Sequence, residues 1–166
     1  MTSFFCACCG ETHDSLPDIG FAKPEPYFDI PEAEREARVQ LTSDTCIIDE
    51  EHYFIRGVLE IPVHQHEQSF GLGVWISQKK EHFYTYLENP DTAEIGPYFG
   101  WLCSRVPAFG DTYLLKTKAH FQGSTMRPSI ELEPTDEPFA IAQREGISLE
   151  RAWDIVHEYL PPITKS

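Results

Sequence analysis

Alternating apolar and polar positions dominate the middle of the chain and predict a β-sheet between residues 45 and 133. β-branched and aromatic residues occur there in short runs separated by turn residues, which is the pattern of strands. Short connections between successive runs favour antiparallel pairing. The predicted strands cover residues 45–49, 52–63, 70–77, 82–87, 98–104, 112–121 and 129–133, with hairpin turns at 49–51 and 78–80.

The N-terminal part of the chain lacks this alternation. Residues 1–30 are punctuated by proline and glycine without helical periodicity, which predicts an irregular lobe. Asp29 then offers an acidic N-cap, Pro31 stands where a first helical turn accepts proline, and Glu32 can return the capping bond. A charged surface helix is therefore expected over residues 31–41.

Helical periodicity returns after Pro134 and predicts a helical pair over residues 135–160. Gly146 is expected to stop the first helix, and Ser148 to cap the second. Apolar residues of the second helix recur at i, i+3, i+4 and i+7, at Leu149, Ala152, Trp153, Val156 and Leu160. We expect this stripe to pack on the sheet, so the pattern predicts one α+β domain with a mostly antiparallel sheet and two C-terminal helices over residues 1–166.

The net charge of the chain argues against some classes of binding partner. Its 166 residues include 27 acidic and 13 basic ones, which gives a formal net charge of −14. Such a chain repels nucleic acid and anionic membrane surfaces. Charged residues or prolines interrupt every apolar segment before the roughly 18 residues of a membrane span, and the first residues do not resemble a signal peptide. A folded cytoplasmic protein is expected.

A group of thiols near the start of the chain predicts a structural zinc site. Cys6 and Cys9 form a C-x-x-C knuckle followed by glycine, with Cys8 as a spare thiol, and His13 lies four residues beyond Cys9. Thiolate and imidazole are the ligands that zinc prefers. The alternatives are free thiols and a redox pair, although no β-α-β pattern surrounds the motif. The chain is therefore expected to carry a zinc-knuckle-like N-terminal lobe.

The knuckle and His13 supply three ligands, whereas structural zinc takes four. Cys46, at the entrance to the first predicted strand, is the preferred fourth ligand because it would tie the lobe to the sheet. Cys103 is the reserve.

Paired polar residues in the sheet region offer further candidate chemistry. His64 and His66 have the spacing of two metal ligands on an extended strand, but a polar stretch surrounds them and an exposed loop is preferred. Arg56 and Glu60 lie on one face of an apolar strand. A structural ion pair on the solvent face is favoured there over a substrate-binding pair.

Aromatic residues and a helix-turn-helix pattern complete the candidates. Tyr98 to Trp101, together with Trp75 and Phe109, could line an apolar cleft, although core packing is the preferred interpretation. Residues 142–152 match the turn of a DNA-reading helix-turn-helix. Six acidic residues against two basic ones between residues 134 and 160 argue against DNA, so an ordinary turn between helices is expected.

The order of short motifs along nearly the whole chain carries a family resemblance. The motifs are Phe5-Cys6 with Cys9-Gly10 and His13, Ile30-Pro31 with Glu34-Arg35, Ser43-Asp44 with Cys46 and Asp49, Phe54-Ile55-Arg56-Gly57, Glu60-Ile61-Pro62, Gly73-Val74-Trp75 with Ser77, Tyr98-Phe99-Gly100-Trp101, and Pro134-Thr135 with Pro138, Gly146-Ile147 and Arg151. Together they resemble the bacterial domain-of-unknown-function family 2199. The resemblance implies a small bacterial α+β protein without an established activity. Leu72, where an aromatic residue is usual, and Glu137, where histidine is expected, depart from the family pattern.

Two functions are compatible with these observations. The preferred one is a non-enzymatic, zinc-clipped binding module for a basic protein surface, of the kind that inhibits or confers immunity to a bacterial toxin. Residues 1–50 hold 11 acidic residues against three basic ones, although acidity also serves solubility alone. The alternative is a small-molecule enzyme with a site near Cys46, Arg56, Trp75 and Trp101. None of the common catalytic motifs occurs in the chain.

Overall fold

A computed structural model describes the backbone of residues 4–5 and 12–13, and both backbone and side chains of residues 16–89, 91–92, 94–123 and 126–159. Its elements make a mixed α+β structure with a mostly β core. The strands are β1 (Phe4–Phe5), β2 (Thr12–His13), β3 (Ile19–Gly20), β4 (Val39–Leu41), β5 (Thr45–Ile48), β6 (His52–Ile61), β7 (Phe70–Gln78), β8 (Tyr98–Trp101), β9 (Lys116–His120) and β10 (Ser129–Leu132). The α-helices are α1 (Glu32–Arg38), α2 (Lys80–Glu88), α3 (Pro138–Glu145) and α4 (Leu149–Tyr159).

Strands β6 to β10 form a meander whose first and last strands meet. β6 pairs with β7, β8 with β9, and β9 with β10, all antiparallel as predicted. β10 returns beside β6 in parallel, and an antiparallel bridge between Ile76 and Leu102 joins β7 to the end of β8. The five strands therefore close into a barrel-like ring. β3 extends this sheet beside β7, and β5 and β4 extend it beside β6.

The predicted N-terminal helix is too long at its C-terminal end. α1 ends at Arg38, and Val39 to Leu41 form β4, which pairs with β5. Pro31 occupies the N-cap position without a side-chain capping bond, so the expected capping pair does not form. The helix buries none of its side chains. Strand pairing of Val39 with Ile48 is a stronger constraint on the backbone than the helix propensity of this exposed segment.

The prediction of a strand over residues 82–87 is wrong, because this segment lies in α2. Residues 78–80 accordingly end β7 and begin the helix instead of making a hairpin turn. Phe83 is fully buried against Tyr53, with ring centroids 5.1 Å apart, and Tyr86 packs one turn later against Phe121. This i, i+3 contact pattern lets helical packing override the β propensity of the aromatic run.

The two C-terminal helices follow the predicted pattern. Gly146 ends α3 with a φ of 83°, and the hydroxyl of Ser148 accepts a hydrogen bond from the Arg151 backbone N–H at 3.1 Å. The buried side chains of α4 are Ala152, Trp153, Ile155 and Val156, Leu149 of the predicted stripe is half-buried, and Leu160 lies outside the described residues. The turn between the helices is fixed to the sheet, because Ile147 bridges in parallel with Val63. No helix among the described residues is long and apolar enough to cross a membrane.

Candidate functional site

The residues predicted to bind zinc lie only partly within the described structure. Cys6 and Cys9 are outside it, and His13 is described only as backbone, in β2. Cys46 lies in β5 with its side chain fully buried. Among the described residues, no three His, Cys, Asp or Glu side chains gather as a metal-binding group. The four-ligand zinc site therefore stays a prediction.

Cys46 and Cys103 are free thiols in one apolar cluster with Phe54 and Trp75. Burial raises the pKa of Cys46 to about 11 and that of Cys103 to about 12. The Cys103 thiol also donates to the carbonyl oxygen of Trp101 at 3.3 Å. Burial therefore favours the protonated form of both thiols in the absence of a bound metal.

Arg56 interacts with Trp75 of β7 and with Ser43 in the loop before β5 instead of with Glu60, so the ion pair expected on this face of β6 does not form. Its guanidinium covers the Trp75 ring, and Nη1 donates to the Ser43 carbonyl oxygen at 3.3 Å. Burial, followed by the charge of Arg127, lowers the pKa of Arg56. Its Nε is buried without a hydrogen-bond partner. Such an unpaired donor costs roughly 1–3 kcal/mol, which the ring contact offsets only in part.

The alternative enzyme site is assembled only in part. Cys46 and Trp75 share the apolar cluster, and Arg56 lies beside that ring. Trp75 is fully buried, whereas Trp101 faces solvent on β8. A buried thiol beside a buried ring packs the interior, and an enzyme site at these residues stays a prediction.

The aromatic residues divide between the core and the surface. Trp75 and Phe109 are buried, and Phe109 stacks on Phe139 with centroids 4.7 Å apart, as core packing predicts. Phe99 and Trp101 do not follow that prediction, because 46% and 41% of their surfaces are exposed. Both side chains lie on the outer side of β8, and their rings contact edge to face with centroids 5.0 Å apart. Exposed large aromatics so close together are typical of binding surfaces.

Trp101 also borders a cleft of about 220 Å³, which we call the aromatic cleft. Leu114, which is 49% exposed, lies at its rim. Among the described residues that line it, Glu51 carries the formal negative charge and no lysine or arginine is present. The residues that line it include Pro26, Glu51, Tyr53, Trp101, Tyr113 and Leu114. An acidic group beside several aromatic rings suits a cationic side chain.

A second cavity, of about 370 Å³, lies where β10 separates from β6, and we call it the closure pocket. β10 pairs with β6 only at Ser129 and Val58. Beyond that point, Gln143 of α3 donates to the Ile130 carbonyl and accepts from the Leu132 N–H, both at 2.8 Å. The side-chain amide of Gln143 thus takes the place of backbone hydrogen bonds from β6. The pocket stays open between β10 and β6. Its polar lining residues are Glu60, His120, Ser129, Glu131, Gln143 and Arg144.

The two histidines of the polar stretch lie in the connection between β6 and β7, and the exposed-loop prediction is confirmed for His64. Its Nε2 lies 2.9 Å from the Glu145 carbonyl oxygen, in contact with the end of α3. His66 is half-buried, and its Nδ1 accepts from the Gln68 backbone N–H at 3.1 Å. Both rings hold local backbone in place.

Comparison with known proteins agrees with the motif order. Residues 5–147 match the family DUF2199, which is described as uncharacterised proteins conserved in bacteria. The chain belongs to this family. No curated protein and no solved structure matches it. The matched DUF2199 segment includes the barrel-like ring, the aromatic cleft and the closure pocket, whereas α4 lies beyond it.

Proposed function

We propose that this DUF2199 protein is a non-enzymatic binding module that recognises a basic protein surface through the aromatic cleft and the neighbouring ring of Phe99. The exposure of Trp101, between Phe99 and the cleft, carries the proposal. A tryptophan exposed on a rigid strand loses little conformational freedom when a partner covers it. Tryptophan, tyrosine and arginine side chains supply most of the energy of protein interfaces.

A lysine or arginine side chain of the partner fits the chemistry of the cleft. Its cationic group can lie against the face of Trp101 while it pairs with Glu51. The structure contains this kind of contact already, because the Arg105 guanidinium lies 4.5 Å from the centre of the Tyr113 ring. A lysine or arginine of the partner would add a second cation–π contact, on the exposed ring of Trp101.

The net charge of the chain favours the same partner, whereas Lys118 and Lys116, opposite Phe99 and Trp101 on β9, are local positive charges. The chain carries −14 overall, and the 11 acidic and three basic residues of positions 1–50 contribute more than half of that excess. α1 lies in this part of the chain and buries none of its side chains, so Glu32 and Glu36 face solvent. Such a field accelerates association with a cationic protein by roughly 10 to 1,000-fold at low salt. An inhibitor of, or immunity protein against, a basic bacterial toxin is the biological role that we propose on this basis.

Two synthetic peptides of equal length test the proposal, one alternating lysine with leucine and the other glutamate with leucine. The basic peptide is expected to bind, with an association rate that falls as salt rises because screening shortens the field. Trp101→Ala should weaken binding by about tenfold or more, and Glu51→Gln by several-fold.

Met126→Ala is the matched control, because Met126 is a large exposed apolar residue that does not line the cleft. It should leave the affinity unchanged. Equal binding of both peptides, or equal losses in Met126→Ala and Trp101→Ala, would overturn the assignment of this surface. A natural partner captured from bacteria supports the proposal only if Trp101→Ala loses it.

A further inference from the structure

The closure pocket contains two opposite charges that do not meet each other. Glu60 projects from β6, and Arg144 projects from α3. Both are exposed, both line the pocket, and no ion pair joins them. Opposite charges on one cavity wall ordinarily attract each other. Their separation leaves one anionic and one cationic group for a ligand to engage.

The side chains of His120, Glu131 and Gln143 in the pocket are already engaged. Nε2 of His120 lies 3.0 Å from Oε1 of Glu131, so this carboxylate has a partner on the neighbouring strand. The side-chain amide of Gln143 is held on both sides by β10 backbone. Arg144 places only Nη1 on a carbonyl, that of Thr135 at 3.0 Å, and keeps its charge unpaired among the described residues. The side chain of Glu60 has no hydrogen bond or ion pair within the same residues, and only its backbone is paired, in the ladder with β7.

We infer that the closure pocket binds a small zwitterionic molecule, with its ammonium group on Glu60 and its carboxylate on Arg144. An amino acid has this combination of groups. Leu132, Pro134 and Ala140 line the same cavity and offer apolar surface for a short aliphatic side chain. A volume of about 370 Å³ is within the range of small-molecule sites. Arginine suits the carboxylate of the ligand because its planar guanidinium group can bind a carboxylate through two hydrogen bonds.

Three compounds with similar aliphatic chains test the ammonium contact and the carboxylate contact of the ligand separately. L-norleucine carries both charges, pentylamine carries only the ammonium group, and hexanoate carries only the carboxylate. In a titration followed by NMR, norleucine is expected to bind at least about tenfold more tightly than either analogue, since one charge-assisted contact is worth about 1.5–3 kcal/mol. The shifted signals should be the amides of residues 129–132 and the Nε–H of Arg144.

Two variants test which residue binds the ammonium group of the ligand and which binds its carboxylate. Glu60→Gln should abolish the preference for norleucine over hexanoate, and Arg144→Gln should abolish its preference over pentylamine. Both residues are exposed, so both variants should fold like the parent chain. Glu88→Gln and Lys79→Gln change exposed charges on and beside α2, outside the pocket, and should preserve both preferences.

Equal affinities for the three compounds would overturn the inference, as would shifts confined to other surfaces or unchanged preferences in both variants. The result is independent of the proposed function, because the closure pocket and the aromatic cleft share no lining residue. Norleucine should therefore not displace the basic peptide. Competition between them would contradict the assignment of separate sites.

Discussion

The guanidinium carbon of Arg56 lies 6.0 Å from the centroid of the Trp75 ring, on the side of the sheet where β3 and β7 carry glycines. A β-carbon built at Gly20 would lie 2.5 Å from Nη2 of Arg56, and one at Gly73 would lie 3.3 Å from its Nε. The arginine therefore occupies space that side chains would otherwise fill. It acts as a packing residue despite its charge.

Two substitutions of Arg56 should distinguish the contribution of its packing to stability from the contribution of its charge. Arg56→Ala is expected to lower the free energy of unfolding by about 2 kcal/mol, because it uncovers Trp75 and the two glycines. Arg56→Met keeps most of the aliphatic stem and should lose less than half as much. Urea unfolding measures both values. Equal losses would mean that the charge, and not the stem, stabilises this part of the sheet.

Gly57 and Gly20 make a second matched pair of substitutions. A β-carbon at Gly57 would collide with the Ile130 side chain and lie 2.8 Å from the carbonyl oxygen of Pro128. Because this contact includes backbone at the junction of β6 and β10, Gly57→Ala should cost about 2 kcal/mol. Gly20→Ala displaces only the flexible end of Arg56 and should cost less than about 1 kcal/mol. Similar losses in urea unfolding would contradict the close approach at the junction.

The sequence predicted where several strands begin, although β9, which alternates strictly, begins at Lys116, four residues after its predicted start. β5, β6, β7 and β10 begin where the pattern placed them, because burial selects one register in each. α2 was not predicted, since its aromatic residues have strand propensity and only their contacts with Tyr53 and Phe121 select the helix. Local pattern determines the local element only where tertiary packing agrees with it.

The two candidate sites depend on relationships that no local pattern contains. Phe99 and Trp101 look like core residues in the sequence, and only the position of β8 in the ring leaves them exposed. The closure pocket depends on the separation of β10 from β6 and on a glutamine from a distant helix. Glu60 was recognised as a charge within an apolar strand, but the nearness of Arg144 required the fold.

The ion pair between Arg38 and Asp49 should make stability depend on pH. Arg38 donates two hydrogen bonds of 2.8 Å to Asp49, and this contact lowers the pKa of the carboxyl group. A lowered folded-state pKa stabilises the fold above the ordinary value of about 3.9, and this stabilisation is lost as the pH falls through the folded-state value. Asp49→Asn should therefore differ most from the parent chain at neutral pH and converge with it in acid.

Asparagine suits this comparison because Asp49 has a φ of 55°, which asparagine tolerates well. Unfolding measured from pH 7 downwards gives the difference directly. Asp91→Asn is the control, since Asp91 forms no ion pair among the described residues. A difference between Asp49→Asn and the parent chain that stays constant with pH would assign the effect to the turn and not to the ion pair.

Zinc analysis tests the remaining prediction from the sequence, a site made by Cys6, Cys9, His13 and Cys46. Purified protein should contain about one zinc per chain, as one four-ligand site requires. Cys46→Ala should lower this content, whereas Cys103→Ala should preserve it. Both alanine variants remove a buried thiol from the same cluster, so each controls for the packing lost in the other. A loss of zinc in Cys103→Ala alone would identify Cys103 as the fourth ligand.

The burial of Cys46 should also make its thiol slow to react with alkylating reagents when no zinc is bound. Burial raises the pKa of the metal-free thiol to about 11, so alkylation of the native, zinc-depleted protein at pH 8 should be slow. Cys6→Ser or Cys9→Ser should release zinc without unfolding the sheet, because apolar side chains of the ring and of α2, α3 and α4 form the core beneath it. Circular dichroism separates release from unfolding. Protein purified without chelators that holds no stoichiometric zinc would rule out the site.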